Sequence, residues 1–313
     1  MNFSISSFRL LLFGLGTGFS LTIALFFGSS EFVVRKKVIP NENFLDHLKL
    51  LQAGVPKAIV LGDSYLANGF IGAPGYLNLA YPANNIHDIK YEFDKIRDLS
   101  RLQVVVLQAS PALLKTNESS RSSRALDNVG YHLHEYLGFY SLLPNFRPYL
   151  INYLKMAARG KRFSRKTELN EFGAQIHDSV MSPSSLGFSL EVQQAVARTV
   201  PRRSRDQNSK AYREFVERLA EESISVYLVV PPTSEYYLEQ AGEMSGYAEC
   251  SAFFRQLSSQ TGFPLLDYSG SFTDPLLYHS CDHLNREGAV RFTDDLIATI
   301  EKSQSLVENP YHE

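Results

Sequence analysis

The stretch KAIVLGDSY, from Lys57 to Tyr65, decides the fold of this chain. Its apolar run up to Leu61 is rich in β-formers and unbroken, which is typical of a strand buried on both faces of a parallel sheet. A Gly-Asp-Ser turn follows, and in open α/β sheets ligands bind beyond the carboxyl ends of the strands. The stretch therefore predicts a buried strand that presents the hydroxyl of Ser64 at the ligand-binding edge, although such a turn also occurs as plain turn chemistry.

The rest of the chain alternates strand-like and helix-like patterns. Further apolar runs predict strands at Tyr76–Ala80, Leu102–Leu107, Ser225–Val230 and Pro264–Asp267. Helical spacing occurs at Ile86–Leu99, Ser209–Glu222, Tyr247–Thr261 and Gly288–Lys302. This alternation predicts a three-layer α/β/α domain around a parallel, doubly wound sheet, with the domain running from 57 to 306 and a short tail over 307–313.

Composition excludes several classes of protein. The chain has 313 residues, 44% of them hydrophobic and 20% charged, which excludes a largely disordered protein. Its formal net charge of −2 and the lack of a basic recognition motif argue against a nucleic-acid partner. Two cysteines, Cys250 and Cys281, are too few for a disulfide scaffold or a four-thiolate zinc site. Whether these two form one disulfide bond is left open.

The N-terminus predicts a single membrane span. No charge interrupts Leu10–Ser30, and an apolar helix of about 20 residues crosses a bilayer. We expect an uncleaved anchor within 1–37 and a connector over 38–56, with cleavage after Ser30 as the alternative. The positive-inside count slightly favours a cytoplasmic body, because Arg35-Lys36-Lys37 outweighs Arg9. The chemistry below nevertheless favours an extracytoplasmic, periplasmic-type location.

A long connection separates the third and fourth predicted strands. We assign an insertion to about 112–206, far longer than a simple crossover needs. It contains an aromatic stretch, Tyr131–Tyr153, followed by a basic segment, Arg159–Lys166. One interpretation is a lid or membrane-facing subdomain, and the other is a helical excursion packed on the core.

His283 is the candidate base for Ser64. It lies in Asp282-His283-Leu284-Asn285, directly before the last predicted helix, whose apolar face should pack on the sheet and hold this loop beside the carboxyl edge. A serine needs an adjacent base to become a nucleophile, and histidine is the usual one. A metal cluster around His279 and Cys281 is the weaker interpretation, because no partner ligands occur elsewhere in the sequence. No metal and no cofactor is therefore expected.

The two motifs, Gly62-Asp63-Ser64 and Asp282-His283-Leu284-Asn285, together resemble the SGNH (GDSL-type) hydrolase superfamily. The N-terminal span, NLAYPANN (residues 78–85), Pro231-Pro232-Thr233 and DHLNREGAVRFT (residues 282–293) are similar to extracytoplasmic SGNH-like proteins of bacterial surface-polymer acylation. The resemblance implies a flavodoxin-like sheet. It also implies a polysaccharide substrate and a membrane-bound O-acyltransferase as partner, in addition to membrane lipid around the anchor.

The resemblance also implies roles for individual residues. Ser64 is the nucleophile and His283 the general base, while Asn84 and Gln108 are candidates for binding the oxyanion or the substrate. The family's acid usually lies three positions before the histidine, where this chain has Ser280. Asp282 is the candidate that replaces it, with Asp274 as the more distant alternative.

Two functions from different classes follow. The first is a serine-dependent esterase or acyltransferase, transferring a group such as acetyl to a cell-surface polysaccharide or cell-wall polymer through an acyl-serine intermediate. The alternative is a catalytically impaired scaffold that binds a membrane-bound O-acyltransferase, and Ser280 in the acid position favours it. A lipid esterase is a third class that the anchor permits.

Overall fold

The fold is described from a computed structural model of the chain. The described residues are 47, 50, 56–82, 84–96, 102–115, 159, 169–185, 187–201 and 206–308. The chain divides into two compact units, Met1–Leu45 with Ser123–Lys166, and Asp46–Ser122 with Thr167–Glu313. The sheet, its helices and the candidate site lie in the second unit.

A five-stranded parallel sheet forms the centre of this unit. Its strands are β1 (Ala58–Leu61), β2 (Tyr76–Asn78), β3 (Val104–Gln108), β4 (Ser225–Val230) and β5 (Leu265–Asp267). They lie in the order β2-β1-β3-β4-β5, which is the flavodoxin-like order. The predicted doubly wound parallel sheet is therefore confirmed. The direction of winding reverses between β1 and β3, so a crevice opens at the carboxyl ends of these two strands.

Helices cover both faces of the sheet. Those of the described part are α1 (Ser64–Gly69), α2 (Ile86–Ile96), α3 (Pro111–Leu114), α4 (Phe188–Thr199), α5 (Asp206–Glu221), α6 (Glu235–Gly242), α7 (Ser245–Thr261) and α8 (Arg286–Glu308). The four predicted helices correspond to α2, α5, α7 and α8. In contrast, α4 and α6 were not predicted.

The strands divide the core into two hydrophobic clusters. Successive side chains of a strand point to opposite faces, so Val104 and Val106 join one cluster while Val105 and Leu107 join the other. The first cluster contains residues of α1, α4, α6 and α8, and the second contains residues of α2, α3, α5 and α7. The arrangement is the predicted three-layer α/β/α sandwich.

A small antiparallel hairpin follows β5. After a 3₁₀ turn at Pro275–Leu277, strand β6 (Tyr278–Ser280) pairs with β7 (His283–Leu284). Ser280 lies opposite His283, so only Cys281 and Asp282 form the turn between them. Helix α8 then packs its predicted apolar face on the sheet, since Ala289, Phe292, Leu296 and Ile300 are fully buried.

Several sequence-based predictions fall wholly or mostly outside the described residues. The uncharged stretch Leu10–Ser30 is one, and within the part that the structure describes no helix is long and apolar enough to span a bilayer. The aromatic stretch Tyr131–Tyr153 is another, and of the basic segment only Arg159 is described. Near the end of the predicted insertion, residues of α4 such as Val192 and Val196 are part of the sheet-facing core.

Candidate active site

The serine loop, which we define as Gly62–Tyr65, connects β1 to α1. Asp63 is the N-cap of α1, and its Oδ1 accepts a hydrogen bond from the Tyr65 N–H at 2.9 Å. An aspartate cap satisfies one of the backbone donors that a helix start leaves without a partner, which is why the helix begins here. As the first helical residue, Ser64 projects from the carboxyl edge of the sheet and is half-buried.

Gln108, the last residue of β3, braces this loop from inside the protein. Its Oε1 accepts from the Asp63 N–H at 2.9 Å, and its Nε2 donates to Asp63 Oδ1 at 2.8 Å and to Ser110 Oγ at 2.6 Å. Any Cβ at Gly62 would lie closer than 3.0 Å to Gln108 Oε1, so glycine is needed for this close approach. Both amide hydrogens of Gln108 are used within the chain. The amide positions the loop in this way, and the expected role of Gln108 in binding an oxyanion or the substrate stays a prediction.

Asp63 has an unusually high pKa for an aspartate. Burial raises its pKa to about 6, against the lowering effect of the hydrogen bonds from Tyr65 and Gln108 and of the charge of His283. Desolvation disfavours the ionised form of a carboxyl group, and this carboxyl is buried beside the strand ends. Asp63 therefore ionises less readily than an ordinary aspartate.

The histidine hairpin, which we define as Tyr278–Leu284, approaches the serine loop from the other side. Ser234, just after β4, holds its turn, because the Cys281 carbonyl accepts from both Ser234 Oγ at 2.6 Å and Ser234 N–H at 3.2 Å. Asn285 holds its base, donating from Nδ2 to the Leu276 carbonyl at 2.6 Å and accepting from the Gly288 N–H at 3.1 Å. The hairpin is thus attached to the carboxyl edge of the sheet and to the start of α8.

The two loops meet through a chain of hydrogen bonds. Ser64 Oγ lies 2.8 Å from His283 Nε2, although the two residues are 219 positions apart in sequence. His283 Nδ1 lies 2.8 Å from Asp282 Oδ1. The histidine side chain keeps 16% of its surface exposed and the aspartate 5%, so the imidazole is accessible while its carboxylate is buried. This is the arrangement of nucleophile, base and orienting acid that serine hydrolases use.

Asp282 reaches its immediate neighbour because of the tight turn. Asp282 occupies the second turn position and His283 the first position of β7, so their side chains converge on the same side of the hairpin. Burial opposes ionisation of Asp282, but the charge and hydrogen bond of His283, together with a hydrogen bond from Ser280, lower its pKa overall. Asp274, the alternative acid, instead caps the 3₁₀ turn through the Leu276 N–H at 2.9 Å.

Aromatic rings surround the imidazole of His283. Tyr65 is buried and stacks on it, with ring centroids 5.2 Å apart and planes inclined by 17°. His279 lies on another side at 5.5 Å, and His177 stacks on His279 at 4.2 Å. Burial and the two neighbouring histidines lower the pKa of His279 to about 4, so its ring is neutral at physiological pH. The rings of Tyr65 and His279 beside the base are therefore uncharged near neutral pH.

Among the remaining candidate residues, the Cys281 thiol touches this chain of hydrogen bonds by donating to Asp282 Oδ1 at 3.9 Å. Asn84 is buried in the loop after β2, where its N–H donates to the Tyr81 carbonyl at 3.1 Å, and its binding role stays a prediction. Cys250 and Cys281 are buried free thiols in opposite hydrophobic clusters. Within the described residues, no group of three or more histidine, cysteine, aspartate or glutamate side chains is placed to hold a metal ion.

Sequence reasoning missed the residues that hold the base. Tyr65 directly follows the serine, but an aromatic residue at that position is not a signal for stacking on a distant histidine. Ser280 was noted only as the place where an acid is absent, and nothing in the sequence links His177 to His279. These contacts depend on the hairpin, which was not predicted.

Neither a protein-family model nor a curated protein matches the sequence. Among solved structures the chain is similar to a GDSL-like lipase from Bacteroides thetaiotaomicron, with 11% identity, a TM-score of 0.43, and coverage of 83% of this chain and 98% of that one. It is also similar to an acetyl xylan esterase, with 14% identity, a TM-score of 0.39 and coverage of 78% and 99%. A lipase/acylhydrolase from Enterococcus faecalis has 12% identity, a TM-score of 0.38 and coverage of 79% and 96%.

At these identities and TM-scores, the activity of this chain has to be argued from its own side chains. The resemblance to the SGNH/GDSL superfamily is carried by the motifs around Ser64 and His283 in the sequence.

Proposed function

We propose that this protein is a serine esterase or acyltransferase that works through an acyl-serine intermediate. The observation that carries the proposal is the continuous hydrogen-bonded chain from Ser64 Oγ through both nitrogens of His283 to Asp282, with 2.8 Å at each step. It lies at the carboxyl edge of the sheet beside the β1/β3 switch point, where ligands bind in this class of fold.

The acylation half of the reaction follows from the geometry. With Nδ1 of His283 carrying its hydrogen toward Asp282, Nε2 presents a lone pair to the Ser64 hydroxyl. As Oγ forms a bond to the ester carbonyl carbon, its proton passes to Nε2, and Asp282 stabilises the imidazolium that results. The bond to the leaving alkoxide then breaks, and the alkoxide takes the proton from Nε2. The products of this half are an acyl-serine and a free alcohol.

The deacylation half reverses these proton transfers. Water or an acceptor hydroxyl gives its proton to Nε2 while its oxygen attacks the acyl carbon, and the bond from that carbon to Ser64 Oγ breaks as Oγ regains the proton. Water as the attacking group yields a carboxylic acid, and a sugar hydroxyl yields a new ester. Which of the two dominates depends on how well the site excludes water and binds the sugar.

Stabilisation of the oxyanion requires donors aimed at the reacting carbonyl oxygen. The Ser64 N–H is one candidate, because the first residue of a helix has no acceptor in a preceding turn. A single donor of this kind contributes about 3–4 kcal/mol to the transition state. Since the amide hydrogens of Gln108 are donated to Asp63 and Ser110, we assign the side-chain contribution to the segment around Asn84.

The finer assignment is acyl transfer to a cell-surface polysaccharide, with a membrane-bound O-acyltransferase as partner and the N-terminal stretch as membrane anchor of an extracytoplasmic domain. Its support is the resemblance carried by residues 78–85, 231–233 and 282–293. Besides the aromatic and basic insertion, the scaffold alternative has one further argument, which is Ser280 in the acid position. Because Asp282 makes the acid's contact with His283, that argument is much weaker.

The test measures acetyl release from an aryl acetate, acetyl transfer to an oligosaccharide, and covalent labelling by a fluorophosphonate. We expect the unaltered protein to hydrolyse the ester and to be labelled at Ser64. Ser64→Ala should abolish labelling and lower kcat by about 10³-fold or more, because the nucleophile is lost.

The matched control is Ser184→Ala, which removes the hydroxyl of an exposed serine outside the site. This variant should keep full activity and labelling. Equal rates for the unaltered protein and Ser64→Ala would end the esterase proposal, and absence of labelling with absence of turnover would favour the scaffold. Hydrolysis without any transfer to a sugar would overturn only the finer assignment.

A further inference from the structure

Ser280 makes two hydrogen bonds that the proposed mechanism does not need. Its Oγ donates to Asp282 Oδ1 at 2.9 Å and lies 3.1 Å from His283 Nδ1. Together with the 2.8 Å contact between Nδ1 and Oδ1, these distances form a closed triangle of one hydroxyl, one carboxylate oxygen and one ring nitrogen.

The donors and acceptors of this triangle can be assigned from chemistry. Nδ1 has to carry a hydrogen if Nε2 is to accept the proton of Ser64, so Nδ1–H is the donor in both of its contacts. The Ser280 hydroxyl has one hydrogen, which goes to Oδ1, and its lone pair faces Nδ1–H. A serine hydroxyl is able to make both contacts at once, whereas a purely hydrophobic side chain is able to make neither.

The hairpin explains why such a third group is useful. Asp282 and His283 are adjacent in the chain, and both side chains are free to rotate away from one another unless a further contact restrains them. Ser280 is the cross-strand partner of His283, so its side chain is delivered to the same side of the hairpin by the pairing itself.

We propose that Ser280 is a positioning residue, which holds the Asp282 carboxylate against His283 and keeps the imidazole hydrogen on Nδ1. The inference rests on the proposed esterase function and deepens it, because Ser280 acts on the reaction only through the acid and the base. No substrate atom is required to touch it.

The test compares Ser280→Ala with Ser280→Thr. Removing the hydroxyl should lower kcat for an aryl acetate about tenfold, as expected for one hydrogen bond to a charged group, with KM changed less than twofold. Threonine keeps the oxygen, so Ser280→Thr should recover kcat to within about threefold of the unaltered protein. Fluorophosphonate labelling of Ser64 should slow in parallel with kcat.

A coupled measurement separates positioning from general stability. If Ser280 acts through the carboxylate, Ser280→Ala should cost little further activity when it is combined with Asp282→Asn, whereas a purely structural role costs the same factor in both backgrounds. The Nδ1–H proton of His283, observed by proton NMR, should shift in Ser280→Ala and return in Ser280→Thr.

The outcomes distinguish this inference from the function on which it rests. An inactive, unlabelled parent protein would defeat the esterase proposal, while the NMR signal would still test whether Ser280 shapes the environment of Nδ1–H. An active parent whose kcat and Nδ1–H signal are unchanged in Ser280→Ala would overturn the inference alone. Equal loss in Ser280→Ala and Ser280→Thr would also overturn it, since threonine retains the hydroxyl.

Discussion

The serine loop and the histidine hairpin supply the two halves of one site, but they are held by different means. The serine loop continues directly from strand β1, and hydrogen bonds with the fully buried Gln108 connect it to the end of β3. The hairpin lies outside the sheet, and side-chain hydrogen bonds hold its turn through Ser234 and its base through Asn285. Its reacting edge at His283 remains partly exposed.

This difference between the two loops predicts whether a substitution will lower stability or kcat. Buried polar groups that are satisfied only by one another are costly to disturb, so substitutions in the serine loop at positions other than the nucleophile Ser64 should act first on the stability of the domain. The hairpin brings its side chains together by short, partly exposed contacts. Substitutions there should act first on the alignment of the base, and therefore on kcat, with little effect on folding.

The largest effect is expected at Asp282. Asp282→Asn should lower kcat by about 10³–10⁴-fold, because an amide favours the wrong imidazole tautomer and does not stabilise an imidazolium. The melting temperature should change by only a few degrees, since the side chain keeps its size. Steady-state kinetics with an aryl acetate and thermal unfolding measure the two quantities.

Asp274→Asn is the matched control for that experiment. Asp274 caps the 3₁₀ turn and contributes no contact to His283 among the described hydrogen bonds. We expect kcat within about twofold of the unaltered protein for this change, as for a surface substitution. A larger loss in Asp274→Asn than in Asp282→Asn would reverse the assignment of the acid.

The next effect is a pH dependence of stability that originates at Asp63. Its folded pKa of about 6 lies above the ordinary aspartate value of 3.8, so the folded state binds the proton more tightly than the unfolded state. Asp63 therefore contributes stability below pH 3.8, and this contribution is lost as the pH rises through 6. From the size of the shift, the loss is at most about 3 kcal/mol.

Asp63→Asn should remove that dependence while keeping the oxygen that caps α1. We expect the unfolding free energy of the variant, relative to the unaltered protein, to rise between pH 4 and pH 6 and to stay constant above. Chemical denaturation at several pH values measures it. If the difference in unfolding free energy between the two proteins were constant across this range, the pKa of Asp63 would be the same in the folded and unfolded states, and this prediction would be wrong.

A smaller effect is expected at Gly62. Gly62→Ala would press a methyl group against Gln108 Oε1 and leave only 3.2 Å to Leu66 Cδ1, which forces the serine loop to shift. Overpacking of this kind costs about 1–3 kcal/mol of unfolding free energy. Gly242→Ala, with nothing within 4 Å of the new Cβ, is the control and should be neutral or slightly stabilising.

The comparison between the two loops fails if Gly62→Ala leaves stability unchanged. It also fails if Asp282→Asn unfolds the protein as readily as it lowers kcat. Either result would mean that the sheet does not hold the serine loop more firmly than side-chain contacts hold the hairpin.

The strands and the two reactive side chains were predictable because their signals are local. Unbroken apolar runs such as Ser225–Val230 indicate strands buried on both faces, and this strand was predicted with its exact bounds. Asp63 before a helix start and Gly62 after a strand are equally local signals. Strand ends of a parallel sheet share one edge, and the last helix was expected to hold the loop of His283 beside it, so the meeting of Ser64 and His283 was also predicted.

The identity of the acid and the role of Gln108 were not predictable in this way. Both depend on distances across a turn and between strand ends, which residue order does not encode. The sequence had left Asp282 and Asp274 as alternatives, and only the position of the hairpin separates them.

The amino-acid sequence by itself determined the parallel sheet, the serine at its carboxyl edge and the histidine before the last helix. It did so because backbone propensity, apolar periodicity and helix capping act over a few residues at a time. Tertiary structure alone decided that Asp282 orients His283, that Ser280 closes the triangle between them, and that Gln108 donates to Asp63 and Ser110. Hydrogen bonds of about 3 Å depend on where packed elements place each atom, and that placement is a property of the whole fold.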